Sequence, residues 1–189
     1  MDKESGKKLL IAAAMKELME HTPFAKITVN SIVERSGINR KTFYHHFKDK
    51  YELVNWIFSS EVAANVNDPC SLANWPERTL KLYNYWQDNK VFYAKLLKTL
   101  GQNSFYEYLY VFNCEQILII CREACGNRTF DQADFDFMVD FLSHAFFGVF
   151  TTWVNSGMQE SPATIIKRLQ AMVDNSVERL FVNLQAVGD

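Results

Sequence analysis

The sequence predicts an all-α protein of about nine helices, with a three-helix N-terminal module followed by a helical body, and three observations carry that prediction. Apolar residues recur at helical spacing, as Val29, Ile32 and Val33 do early in the chain and Phe135, Met138, Leu142 and Val149 do late. Helix starts and stops punctuate the chain: Thr28, Asn39, Asp49, Asn74, Ser104 and Ser161 stand where caps belong, and Ser36-Gly37, Gly101, Gly126-Asn127 and Ser156-Gly157 where helices end. No credible strand emerges. The 189 residues are 48% apolar, ample for a core.

Taken in order, the first helix is expected over about Ser5 to His21, with Leu9, Ile11, Ala12, Ala13, Met15, Leu18 and Met19 as its buried stripe and Thr22-Pro23 as its end. Phe24 and Ile27 bridge to a second helix, which Thr28 caps and Ser36-Gly37 stops. After Ile38, Asn39 caps a short helix, Arg40 to His46, in which Phe43 and Phe47 sit four apart and point inward. Asp49 to Glu52 has the D-x-x-E form of a capping box and opens a long helix to about Val66, joining the module to the body. Asn67 to Asn74 is a connector, and Asn74 to Glu77, an N-x-P-E box, starts a helix that ends near Asp88. A short helix from Lys90 to Leu100 follows. Ser104 to Glu107 opens the next, which runs to Gly126-Asn127; Asp131 or Thr129 caps one that runs to about Asn155. Ser161, with Pro162 at the first helical position, starts a last helix to about Leu184.

Two short helices joined by a tight Gly-containing turn, the second presenting donors at its N-terminal end, are what a helix-turn-helix needs to place side chains in a major groove. Arg40, Lys41, Thr42, Tyr44 and His45 fall on or near the outer surface of that second helix. Arg40 and Lys41 can donate to guanine O6/N7 or to phosphates, and Thr42 can offer a methyl to thymine. Thr28 and Asn39, at helix N-termini, complete the groups with donors to spare for phosphate. The charge agrees. Residues 1–50 hold ten Lys/Arg against six Asp/Glu, whereas residues 51–189 hold ten against sixteen, so the basic part is the part that would meet DNA. The expected organisation is a DNA-binding domain over 1–50 and a helical regulatory and dimerisation domain over 51–189.

The segment reads Y-x-H-F-x-x-K-x-x-L at Tyr44, His46, Phe47, Lys50 and Leu53, after T-V-x-x-I-V-x-x-x-G-I from Thr28 to Ile38. It resembles the N-terminal domain of the TetR family of bacterial transcriptional regulators. G-x-x-x-x-W-x-x-x-G at Gly148, Trp153 and Gly157, followed by Ser161-Pro162, is similar to the end of that family's penultimate helix and the start of its last. The wording N-R-x-T-F-Y-x-H-F looks like the branch that includes regulators of dihydroxyacetone kinase operons. The resemblance implies that Tyr44, His46 and Lys50 sit against phosphates, that the protein binds a palindromic double-stranded operator as a homodimer, and that the middle helices enclose an effector cavity. For His46 a packed histidine bridging two helices of the module is the equal alternative. Trp86, Tyr93, Tyr108 and Phe112 are the candidates for lining that cavity. The alternatives are control by a protein partner, such as a kinase-like coactivator, and a helical interaction module without DNA.

Phe135 to Trp153 is apolar nearly all round, so this helix must be covered on more than one side. One side can meet its own subunit and the other a copy of itself, with Phe141, Ala145, Val149 and Trp153 joined by Ile165, Leu169, Met172 and Val173 of the last helix in a four-helix interface. The longest apolar run, Phe141 to Val154, contains His144 and is too short to span a bilayer. Four cysteines and a charged N-terminus without a signal-type apolar run point to a reducing cytoplasm. Cys114, Cys121 and Cys125 share a helix face but read as buried apolar residues, not metal ligands. No Gly-rich phosphate loop, G-x-S-x-G, H-E-x-x-H or CxxC occurs, so neither an enzyme nor a cofactor is expected.

Overall fold

The computed structural model describes residues 3–66, 68–98, 105–128 and 131–173. All elements among the described residues are helical: α1 (Lys3–His21), a 3-10 turn (Phe24–Lys26), α2 (Val29–Ser36), α3 (Arg40–His46), α4 (Lys50–Asn65), α5 (Trp75–Asp88), α6 (Lys90–Leu97), α7 (Phe105–Cys125), α8 (Gln132–Asn155) and α9, seen over 162–173. The box at Ser104, Thr129 and an end of the last helix near Leu184 lie outside the described residues. The chain divides into two compact units, one built on residues 1–64 and 89–108 and the other on 65–88 and 109–189. The unit that contains the N-terminal helices thus also takes in α6 and nearly all of α4, well past residue 50.

In the first unit α1 packs on α2 and α6, and α2 on α3. The buried stripe of α1 is Ile11, Met15 and Met19 at four-residue spacing, with Ala12 and Ala14 beside it. Leu9 and Ala13, expected in that stripe, are exposed instead, because two residues along a helix is about 200° around it and puts them on the face opposite Ile11 and Met15. Phe24, Ile27, Ile32, Phe43, Phe47, Leu53, Val54, Ile57 and Phe58 complete the core, each large side chain worth about 1.5–3 kcal/mol on burial. Polar ties fix α6 to its neighbours. Lys95 Nζ donates to the carbonyls of Met19 (2.5 Å) and Glu20 (2.9 Å) in the last turn of α1, where unpaired carbonyls attract a cation. Lys16 pairs with Glu61, whose second oxygen accepts from the Tyr93 hydroxyl at 3.0 Å.

The second unit packs α5, most of α7, α8 and α9 around Trp75, Tyr83, Trp86, Phe147, Phe150 and Trp153. Tyr83 stacks on Trp153 with centroids 4.8 Å apart, and Trp86 meets Phe150 edge-on at 4.3 Å. Asp131 caps α8 by accepting from Ala133 N (2.8 Å), and Ser161 caps α9 by accepting from Thr164 N (3.2 Å). Asn74 does not cap α5 as its N-x-P-E wording suggests. Its side chain turns back on the connector, accepting from Ser71 N and donating to Pro69 O, both at 2.9 Å. Cys121 and Cys125 are buried free thiols; burial first, and then neighbouring Cys125, push Cys121 up to about 12. By length and composition α8 passes for a membrane span, yet it carries Asp134, Asp136, Asp140 and His144 and sends Phe147, Phe150 and Trp153 into its own unit.

Candidate nucleic-acid interface

The helix-turn-helix is built from local hydrogen bonds that its sequence dictates. Thr28 Oγ1 accepts from Ser31 N (3.2 Å) while Ser31 Oγ accepts from Thr28 N (3.0 Å), a reciprocal box with serine in the place usually taken by glutamate or glutamine. Gly37 ends α2 at φ +68°, and the amides of Gly37 and Ile38 return to the carbonyls of Glu34 and Val33. Asn39 Oδ1 then accepts from Thr42 N at 2.8 Å and starts α3. Ile32, Phe43 and Phe47 anchor the motif inward, which turns Arg40, Lys41, Tyr44 and His45 of α3 outward.

Thr28, Asn39, Arg40, Lys41, Tyr44 and His45 are exposed, and Thr42 half-buried, on one continuous stretch of chain. Arg40 lies over the Tyr44 ring (5.7 Å to the centroid) with Nη2 3.4 Å from the hydroxyl, whereas Lys41 is exposed and forms no ion pair among the described residues. His45 Nε2 stands 3.2 Å from Glu4 on α1. His46 is different. Its Nε2 is buried with no hydrogen-bond partner and its ring packs edge-on against His45, so burial and then the His45 charge lower its pKa. It is a packing residue of the last turn of α3.

Lys50, expected at a phosphate, is spent inside the chain. Its Nζ donates to the carbonyls of Phe24 (2.9 Å), Ala25 (3.2 Å) and Ile27 (2.8 Å) and sits 4.6 Å from the Phe24 ring centroid. Those carbonyls converge where the 3-10 turn ends, the Phe24 carbonyl also accepting from Ile27 N (3.1 Å), and burial holds the lysine below its usual pKa. The sequence offered no sign of that turn.

The candidates for an effector cavity separate. Trp86 and Phe112 line a cavity of about 80 Å³ in the second unit. Tyr93 and Tyr108 belong to the first unit: both rings pack edge-on against Phe58, Tyr93 bonds Glu61, and the Tyr108 hydroxyl meets Ser59. Arg78, which sequence reasoning missed, also lines the cavity, and its signal was a lone cation on the α5 face that carries Trp75, Leu82 and Trp86. The interface candidates separate too. Phe141, Ala145, Val149 and Met172 are exposed, but Trp153, Ile165, Leu169 and Val173 are buried within their own unit, Trp153 donating Nε1–H to Glu160 O at 2.9 Å.

Comparison with known proteins agrees with this geometry. Residues 10–57 match the family of bacterial regulatory proteins described as the tetR family, and residues 73–175 match a transcriptional regulator C-terminal region. The HTH-type dhaKLM operon transcriptional activator DhaS of Lactococcus lactis subsp. lactis is 32% identical over 109 residues, a match that spans 58% of this chain and 57% of that protein. A solved structure of dihydroxyacetone kinase operon activator DhaS has the same fold, with a TM-score of 0.65 and 21% identity over 95% of this chain and 97% of the other. A capped helix-turn-helix with an outward basic α3, joined to a helical C-terminal region of the matching kind, makes this chain a member of the TetR family of DNA-binding transcriptional regulators.

Proposed function

We propose that the protein binds a palindromic operator as a homodimer in the cytoplasm, with α3 in the major groove, and that its second unit modulates that binding. The observation that carries this reading is the outward face of α3, where Arg40, Lys41 and Thr42 follow a side-chain cap and none is tied to a carboxylate among the described residues. Arg40 and Lys41 read base edges, Thr28, Asn39 and Tyr44 hold phosphates, and His45 joins them on leaving Glu4. The exposed stripe of Phe137, Phe141, Ala145 and Val149 on α8, with Met172, supplies the two-fold contact. The curated relative is named as a dhaKLM operon activator and the solved structure as a dihydroxyacetone kinase operon activator, so an operon of that kind is the first target to try. Control by a protein partner is the second reading, and the observation in its favour is that the cavity holding Trp86 and Phe112, about 80 Å³, is well below the roughly 300–1,000 Å³ usual for drug-sized ligands, while the larger groove of about 510 Å³ is lined by the exposed Val149 and Met172. Selection from random duplexes should return a palindrome with half-sites about one helical turn apart, roughly 34 Å. Recovery of no enriched sequence at low salt would refute the reading.

A further inference from the structure

Arg78 is a half-buried cation in an aromatic cavity, and among the described residues it forms no ion pair. Its Nε donates to the Asp68 carbonyl (3.0 Å), its Nη1 donates to Gln116 Oε1 (2.5 Å), and the thiol of Cys70 lies against it. These partners are neutral: burial pushes the Cys70 thiol upward, so it does not serve as a counter-ion. Of the nearby carboxylates, Glu77 pairs with Lys81 at 2.8 Å and Glu123 accepts from Leu72 N at 2.7 Å, and neither these nor Asp68, which lines a small pocket with Arg78, lies within ion-pair distance of the guanidinium. A guanidinium partly withdrawn from water without a counter-charge is costly, and an anionic ligand would supply that charge. Trp75, Trp86, Phe112 and Phe147 are among the rings that line the cavity, beside the polar Thr79 and Asn113.

We propose that this cavity binds a small monocarboxylate, with the carboxylate on Arg78 and a short apolar tail among the four rings. The site rests on the reading that the second unit modulates DNA binding, since its ligand is then the effector. Size limits the tail. A dry cavity of about 150 Å³ accepts the six carbons of benzene, so one of about 80 Å³ takes a tail of about three carbons, that of butyrate, with the carboxylate at Arg78. The guanidinium fork suits a carboxylate, and loss of the charge would leave its donors facing an amide that accepts through one oxygen only.

The test is calorimetric titration of the full chain with sodium butyrate and with butyramide, which has the same shape without the charge, at constant ionic strength. Butyrate should bind at least about tenfold more tightly than butyramide. Arg78→Gln should erase that difference, and Arg78→Lys should keep part of it. Equal affinity for acid and amide in the unaltered protein, or no saturable binding of either, overturns the proposal without recourse to any variant. Operator affinity is measured in the same samples. Butyrate bound through Arg78 with operator affinity unchanged supports the site and refutes modulation through the second unit, so the two ideas fail separately.

Discussion

At the scale of single residues, position in the sequence and role in the structure part company at Lys50. Its motif places it among phosphate contacts, but its ammonium is held by three carbonyls. Lys50→Ala should therefore lower stability by about 1–3 kcal/mol, read by urea unfolding, and leave the salt dependence of DNA binding unchanged. Arg40→Ala and Lys41→Ala should do the reverse: unfolding stays put, and one that reads a base loses roughly 1–3 kcal/mol per half-site with relaxed preference at one operator position. The exposed face of α3 was legible because helical spacing alone sorts Phe43 and Phe47 from their neighbours. The partner of Lys50 was not legible, because its acceptors are backbone atoms more than 20 positions away, in a turn with no side-chain signature. His46 carries a pH prediction. Its folded pKa lies below the ordinary 6.5, so the unfolded chain takes up a proton first, and stability should fall as pH drops through and below 6.5 while staying flat above it. Melting temperatures from pH 8 to pH 5 should show that slope, and it should flatten in His46→Gln.

At the scale of elements, the caps were the most readable features. Thr28, Asn39, Asp49, Asp131 and Ser161 all accept backbone N–H bonds at the starts expected of them. Asn74 shows the limit of that reading. A side chain with both donor and acceptor can serve the connector before it as well as the helix after it, and here Ser71 and Pro69 claim it. Gly37 isolates a backbone effect. A Cβ there would meet nothing within 4 Å, but φ is +68°, so Gly37→Ala should cost about 1 kcal/mol through conformation alone and Gly37→Asn should cost less, since asparagine tolerates the left-handed region. Equal unfolding midpoints for glycine and alanine at this position would show that the turn relaxes instead.

At the scale of the whole molecule, the apolar stripe of α8 is where the proposed dimer can be tested. Phe137 is 73% exposed, Phe141 58% and Met172 68%, a surface that a lone chain would have to keep in water. Phe141→Asp should give monomers by light scattering and abolish tight binding to a palindrome, whereas a dimer that survives it would place the contact elsewhere. Sequence periodicity revealed that α8 is apolar all round but not which flank stays bare, because Trp153, Ile165, Leu169 and Val173 differ from Phe141 only in what their own unit brings against them. The internal use of cations in the first unit has a further consequence, for counterions. Of the basic residues in the first fifty, Lys16 and Arg35 are paired with Glu61 and Glu17, Lys50 is caged by carbonyls and Lys8 lies over the Phe47 and Trp56 rings, which leaves Lys7, Lys26, Arg40, Lys41 and Lys48 as the exposed cations among the described residues. Each phosphate neutralised releases about 0.9 of a condensed ion, so a single protomer can displace only a handful, and its grip on DNA should dissolve at modest salt unless a second protomer doubles the exponent.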